Sequence, residues 1–316
     1  MEPEKKRHHF VPKAYLKAFC DAKGKLLVYR KDDPEKVLKM VPEAIGFEKY
    51  YYAQPLPDGS RDTNTLENMF SELEGRWPAL ATKLSNGEDV SDQLSVLLEF
   101  IALQRVRVPA SRDVTEAALA NLVKLTLNQM HTAGELPAMP AGLSLNDFIV
   151  AIDPHQSIHG MVAQLQVEVA DIMNRAGFWA VLNKTGRPFL TSDNPVIWFD
   201  ETQPEDTRRP YAVESQGSFI LIFPVSPTLV ILGSPAHKKN FSQHGLQYST
   251  APTEDWVAWI NEEVSRFAYE TVFAQREGEE EVVRRFANES PVLGQTEGDP
   301  QMVFGPRASL PKWSPR

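Results

Sequence analysis

A chain of 316 residues, 42% hydrophobic and 24% charged, is long enough to bury a substantial apolar interior, which excludes disorder as a starting point. Its net charge of −9 argues against a general nucleic-acid coat protein, because an acidic surface repels phosphate over about a Debye length. The single cysteine, Cys20, forms no internal bridge, no run approaches the roughly 20 apolar residues of a membrane span, and the opening Met-Glu-Pro-Glu-Lys-Lys-Arg lacks the apolar stretch of a secretory signal, so the expected location is the cytoplasm.

In chain order, Pro12 opens a short helix to about Phe19, with Tyr15, Leu16 and Phe19 on one apolar face. Leu26 to Tyr29 reads as a strand, Lys36 to Val41 contains a second, and Phe47 to Tyr52 is a third, closed by the turn Pro57-Asp58-Gly59. Residues 1–61 are therefore expected to form a helix on a small antiparallel meander. Residues 62–176 read as a helical bundle. Its first helix is capped near Asp62 and carries Leu66, Phe70, Leu73, Trp77, Leu80 and Leu84, with a kink expected at Pro78. A second runs from Ser91 to Arg107, a third from Ser111 to Met130, and further helical segments are expected near Ser144 to Ala151 and Pro154 to Ala176. From Phe178 the period drops to two. "FWAVLN", "PFLTSDNPVIWF", "SFILIFPV" and "TLVILG" read as four strands, the last two as a hairpin, and Thr253 begins a long amphipathic helix. Residues 177–290 thus form an antiparallel sheet with a helix, expected to make one compact unit with the first segment, followed by a loosely ordered tail over 291–316. Helices bundled between two stretches of strand give an α+β fold.

"HHFVPKAYLKAF", "FIALQRVRVP", "PFLTSDNPV" and "FPVSP", in this order between about Lys6 and Phe273, resemble the bacterial family catalogued as domain of unknown function 4238. The resemblance implies a common fold unit and a set of suspect positions. It implies no reaction.

Three polar clusters are the candidates for chemistry. His8 and His9 adjoin on an extended segment, so their side chains point to opposite faces. Histidine serves as general base or metal ligand near neutral pH, and His-His-hydrophobic-x-Pro resembles the opening of the ββα-metal nucleases. There a second histidine or asparagine on the following helix completes the site, whereas this chain offers Lys13, Lys17 and Cys20. The alternative is a structural pair that hydrogen-bonds the meander. Thr191-Ser192-Asp193-Asn194-Pro195 reads either as an Asx-type turn or as a strand exit that presents Asp193, flanked by Ser192 and Asn194, to a metal or a histidine. Gln104, Arg105 and Arg107 end a helix. One arginine would pair with Glu67 or Glu74 and the other reach an anion, with an ordinary interhelical salt bridge as the simpler role. His155 and His159 have the spacing of two metal ligands on one helix face. The acidic run Glu277, Glu279, Glu280 and Glu281 reads as a solvated face or loop.

Two functions follow as expectations. One is a metal-dependent phosphodiesterase or nuclease-like effector of the toxin or phage-defence type. In it His8 or His9 would act with Asp193 as base or metal ligand, Lys13 or Arg107 would neutralise phosphate, and the cofactor would be a divalent metal held by His9 and Asp193. The other is a non-catalytic module recognising an anionic ligand or a partner protein through the same groups. No nucleotide-cofactor motif is present, and no membrane partner is expected.

Overall fold

The computed structural model describes residues 3–140, 142–153, 174–205, 207–208, 217–291, 293–295 and 302–304, together with 160, 163, 166, 167, 170 and 171. The chain begins with β1 (Arg7–His9), α1 (Lys13–Leu16), β2 (Leu26–Arg30), β3 (Asp33–Met40), β4 (Phe47–Lys49) and the short hairpin β5 (Gln54–Pro55) and β6 (Arg61–Asp62). The helices α2 (Thr65–Ser85), α3 (Leu94–Val106) and α4 (Pro109–Thr132) follow, and α2 continues through Pro78. Then come β7 (Gly177–Leu182), β8 (Thr191–Ser192), β9 (Ile197–Phe199), β10 (Ile220–Ser226) and β11 (Leu229–Ser234). The chain goes on to α5 (Lys238–His244), β12 (Gln247–Thr250), α6 (Glu254–Phe267), β13 (Thr271–Ala274) and α7 (Glu280–Arg285). The fold is α+β.

Two sheets form the middle layer. One has the order β12-β7-β11-β10-β9, antiparallel except for the parallel pair β12 and β7. The other has the order β3-β2-β13-β8 and is antiparallel throughout. Their central strands are buried on both faces, which is why β10 and β11 read as unbroken hydrophobic runs, whereas the edge strands β3 and β12 are exposed or half-buried. Leu26, Val28, Phe273, Leu221, Phe223 and Ile231 face a core shared with Tyr15, Phe19, Trp77, Leu80 and Phe100 of the N-terminal helices and α2 and α3. Leu27, Tyr29, Val272, Ile222 and Val230 face the opposite core, closed by Val257, Ile260, Val264 and Phe267 of α6. Those four sit at the three-four spacing of one helix stripe, and Thr253 caps the helix by accepting from Trp256 N–H at 3.2 Å. Each fully buried Leu, Ile, Val or Phe adds about 1.5–3 kcal/mol.

Three expectations are corrected. The meander does not close on itself: β4 pairs with β1, and β2 and β3 are completed by β13 and β8 from the far end of the chain. The single strand expected over 188–199 is two short ones in different sheets, because the Asp193 to Val196 turn carries the chain from one sheet to the other. Near residues 144–151 there is only a single 3₁₀ turn, Leu145–Asp147, closed by reciprocal Ser144 and Asp147 bonds. Phe148 and Ile149 beyond it are exposed, so no apolar face forms to hold a longer helix. Most of the segment 154–176, with His155 and His159, and most of the tail from Pro291 lie outside the described residues. Among the described residues no helix is long and apolar enough to cross a membrane.

One hydroxyl ties the layers together. Tyr15 donates its single proton to the Pro224 carbonyl of β10 at 2.6 Å, so the 2.6 Å contact with Thr191 Oγ1 of β8 must have threonine as donor. The residue is fully buried, its ring stacks on Phe223, and burial holds its phenol far above the usual range. Tyr15→Phe leaves Thr191 and the Pro224 carbonyl without this partner, and is expected to cost about 1–2 kcal/mol by urea denaturation. An unchanged midpoint would show that the hydroxyl does not join the sheets.

Candidate functional site

The sequence-predicted residues divide into two buried clusters. In the first, His8 donates from Nε2 to the Lys5 carbonyl at 2.9 Å and accepts the Tyr52 N–H on Nδ1 at 2.8 Å, while its ring stacks on Tyr52. Both nitrogens are thus committed to main chain, and the tautomer is set: a second proton would confront the Tyr52 N–H. Burial lowers its pKa, so the ring is neutral. His9 faces the other way, against Phe47, and is 8% exposed. Its Nε2 is buried without a hydrogen-bond partner. Burial, with the positive charges of Lys13 and Arg107 beside it, pushes it down to about 4.

Arg107 sits at the centre of this cluster. It donates to Glu74 at 2.5 Å, to Tyr52 Oη at 3.1 Å and to the His9 carbonyl, with its guanidinium over the rings of Tyr52 and Phe70. It is fully buried, so the simpler of the two roles expected for these arginines, an interhelical salt bridge, is the one found, extended to the main chain of β1. Arg105 lies 4.4 Å over the Trp198 ring. Gln104 is wholly buried, with both amide atoms lacking partners, and Lys13 is exposed.

The second cluster surrounds the sheet-to-sheet turn. Asp193 is buried and accepts four hydrogen bonds: Tyr269 N–H at 2.8 Å on Oδ1, and Glu270 N–H at 2.7 Å, Thr271 N–H at 2.9 Å and Thr271 Oγ1 at 3.0 Å on Oδ2. Burial lifts its carboxyl to about 6, against the pull of these donors. Ser192 Oγ accepts the Asn194 N–H and donates to the Asn194 carbonyl, and Asn194 donates to the Phe267 carbonyl at 2.9 Å. The three polar residues therefore hold a turn and dock it on the end of α6. Asp193 needs no metal to balance its hydrogen bonding, because the N–H groups at the α6 to β13 corner converge on it.

Sequence reasoning missed Lys31. It follows β2 in the polar run Arg30-Lys31-Asp32-Asp33, which reads as an exposed turn, yet it is 7% exposed. Its ammonium donates to the carbonyls of Arg266 at 3.0 Å, Ala268 at 2.8 Å and Glu289 at 2.7 Å. Burial pushes it down to about 7, while the negative charges of Asp193 and Glu289 pull it back up. Asn261 was missed too: it accepts the Leu190 N–H and donates to the Pro188 carbonyl, both at 2.9 Å. The acidic run is exposed at Glu277 and Glu281, as expected, and is corrected at Glu279 and Glu280. Glu279 is buried and makes a double 2.7 Å bond to Arg187, and Glu280 accepts from Tyr29.

The groups around His9 (Phe47, Lys13, Arg107, Glu43 and Arg7) and those around Asp193 (Tyr269, Glu270, Thr271 and Lys31) have no residue in common. Among the described residues no group of three or more His, Cys, Asp or Glu is gathered as a metal ion would need. The two stretches nevertheless border one cavity of about 540 Å³. Phe10, next to His9, lines it from one side, and Tyr269 to Thr271, which hold Asp193, line it from the other. Its apolar wall is Phe10, Val28, Leu38, Met40, Ile45 and Phe273. Gly46 closes the wall at φ +65°. Its carbonyl accepts both the Phe10 and Val11 N–H, and an added Cβ would come within 3.2 Å of Val11 Cβ.

The His9 ring gives a pH dependence of known sign. Its folded pKa of about 4 lies below the unfolded 6.5, so between these values the unfolded chain binds more protons. The stability it confers is complete above 6.5 and is lost as pH falls through 4. Asp193, raised from 3.8 to about 6, acts oppositely over part of that window. The comparison is therefore of urea midpoints for wild type and His9→Leu: the fall from pH 6.5 to 4 is expected to be shallower in the variant, and parallel curves would contradict the assignment. Asp193→Ala, which orphans the buried Tyr269 N–H and the part-buried N–H groups of Glu270 and Thr271, is expected to cost about 3–5 kcal/mol in the same assay.

No curated protein and no solved structure is significantly similar to the chain. The family described as "Protein of unknown function (DUF4238)" matches residues 7–278, which takes in β1, both sheets, the His-His and Ser-Asp-Asn clusters and most of the cavity wall. The chain belongs to that family.

Proposed function

We propose that this protein is a non-catalytic binding module, acting in the cytoplasm, whose ligand lodges its apolar body in the cavity between β1 and the β3-β2-β13 sheet. The observation that carries this reading is the cavity wall. Val28, Leu38, Met40 and Phe273 stand on the sheet face that elsewhere packs against the N-terminal helices and α2, and here Phe10 and Ile45 stand back from it and leave about 540 Å³. That volume lies within the range of small-ligand sites, roughly 300–1,000 Å³, and such sites combine apolar walls with a few polar groups, as this one does with Thr271 and Asn288.

The phosphodiesterase expectation is the less favoured of the two. It asks His8, Asp193 and Arg107 to act on a substrate, and each of these is engaged by main chain or by a neighbouring side chain of its own cluster. His9 Nε2 has no hydrogen-bond partner, but the ring is buried against Phe47. A binding reading asks nothing of these groups beyond holding the walls in place.

The test uses Nile red, an uncharged dye that fluoresces in apolar surroundings. One dye per chain is expected to bind wild type. Leu38→Trp, which fills the cavity from a half-buried position on β3, is expected to abolish binding with an unchanged urea midpoint. Met40→Trp is the second filling variant should the first destabilise the sheet. Dye binding that survives both substitutions, or no binding to wild type, overturns the proposal.

A further inference from the structure

The charged groups around the cavity are already engaged within the protein. Arg30 donates from Nε to Asp32 Oδ1 at 2.8 Å and makes a second bond to Asp32 Oδ2. Lys31 uses its three protons on three carbonyls. Glu289 is drawn outward by Arg266, whose Nη1 lies 3.4 Å from its carboxylate. Glu270 is engaged as well. The edge of the cavity therefore carries charge of both signs, with Arg30 and Asp32 matched to each other, Glu289 matched to Arg266, and Lys31 held by main-chain carbonyls.

A ligand with a charged head would have to break one of these pairs or sit beside a matched pair without a counter-charge of its own, and either course costs the desolvation of an ion. A neutral polar head meets no such cost. It finds Asn288, exposed at the edge with a donor and an acceptor. It also finds Thr271 Oγ1, which has given its proton to Asp193 and keeps its lone pairs. Behind that edge the wall is Phe10, Val28, Leu38, Met40, Ile45 and Phe273.

From this we infer that the cavity selects an uncharged amphiphile, a molecule with an apolar chain and a neutral hydrogen-bonding head, over ions with the same chain. The inference rests on the cavity being a ligand site and goes beyond that reading by naming the ligand's chemistry.

Three probes with a common chain decide it: decan-1-ol, decanoate and decylammonium, each titrated against wild-type protein at pH 6.5, where Lys31 is an ammonium, by displacement of Nile red. The alcohol is expected to compete on the order of tenfold more strongly than either ion. Asp32→Asn removes the counter-charge of Arg30 at an exposed position, and is expected to strengthen decanoate about threefold while leaving decan-1-ol unchanged. Equal competition by all three probes, tighter binding of either ion to wild type, or an Asp32→Asn effect on the alcohol equal to that on decanoate would overturn the inference. These outcomes leave the site itself standing, because the dye is still bound and displaced. Failure of the dye to bind would instead remove the site.

Discussion

The structure turns on a division of labour between two buried side chains of opposite charge. Where the chain leaves α6 and enters β13, its backbone cannot satisfy itself. Asp193 accepts the N–H groups of residues 269, 270 and 271, and Lys31 donates to the carbonyls of 266 and 268, so donors and acceptors of one corner are met from opposite sides. Neither residue belongs to the corner. Asp193 comes from the turn that changes sheets and Lys31 from the end of β2, so forming the corner also sets how β2, β8 and β13 lie together. Placing two ions in so dry a position is expensive, and what offsets the cost is that each ion meets several backbone dipoles already pointing at it.

The cavity follows from this arrangement. Lys31 also grips the Glu289 carbonyl, which pulls the segment 287–290 over the edge of the sheet and supplies one side of the opening. On the far side the β1 and β4 ribbon is held by a third buried ion, Arg107, through the His9 carbonyl and Tyr52. Lys31 and the 269–271 corner thus border the cavity themselves, while Arg107 and Asp193 shape it from positions outside its lining. A glycine at 46 suits this arrangement, since its φ is +65° and the segment just after β1 comes within 3.2 Å of where a Cβ would stand.

Much of the fold could be read from sequence because its strongest elements have one-dimensional signatures. β10 and β11 are buried on both faces and so are unbroken apolar runs, and α2, α3 and α6 carry their buried residues at helical spacing. What escaped reading is pairing at a distance. Nothing local in Phe47-Glu48-Lys49 says that it joins β1 in preference to β3, and Thr271 to Ala274 is too short a run to announce a strand at the heart of a sheet. A turn at Asp193 was legible, but the change of sheet was not, because the short apolar runs on either side, Phe189-Leu190 and Val196 to Phe199, do not say which strands they pair with. His8, His9, Asp193 and Arg107 were legible as unusual polar residues, but their roles were not, because the groups that engage them lie up to 98 positions away. Lys31 had no signal at all: a lysine between charged neighbours looks solvated until three carbonyls are folded around it.

Amide hydrogen exchange at the α6 to β13 corner tests the two-ion account most directly. In wild type the N–H groups of Tyr269, Glu270 and Thr271 should exchange as slowly as those of the β10 and β11 hairpin, and in Asp193→Ala these three should become fast while the hairpin stays protected. Unchanged protection at 269–271 in the variant would mean that the carboxylate does not hold the corner, and the explanation of how the cavity is built would fall with it.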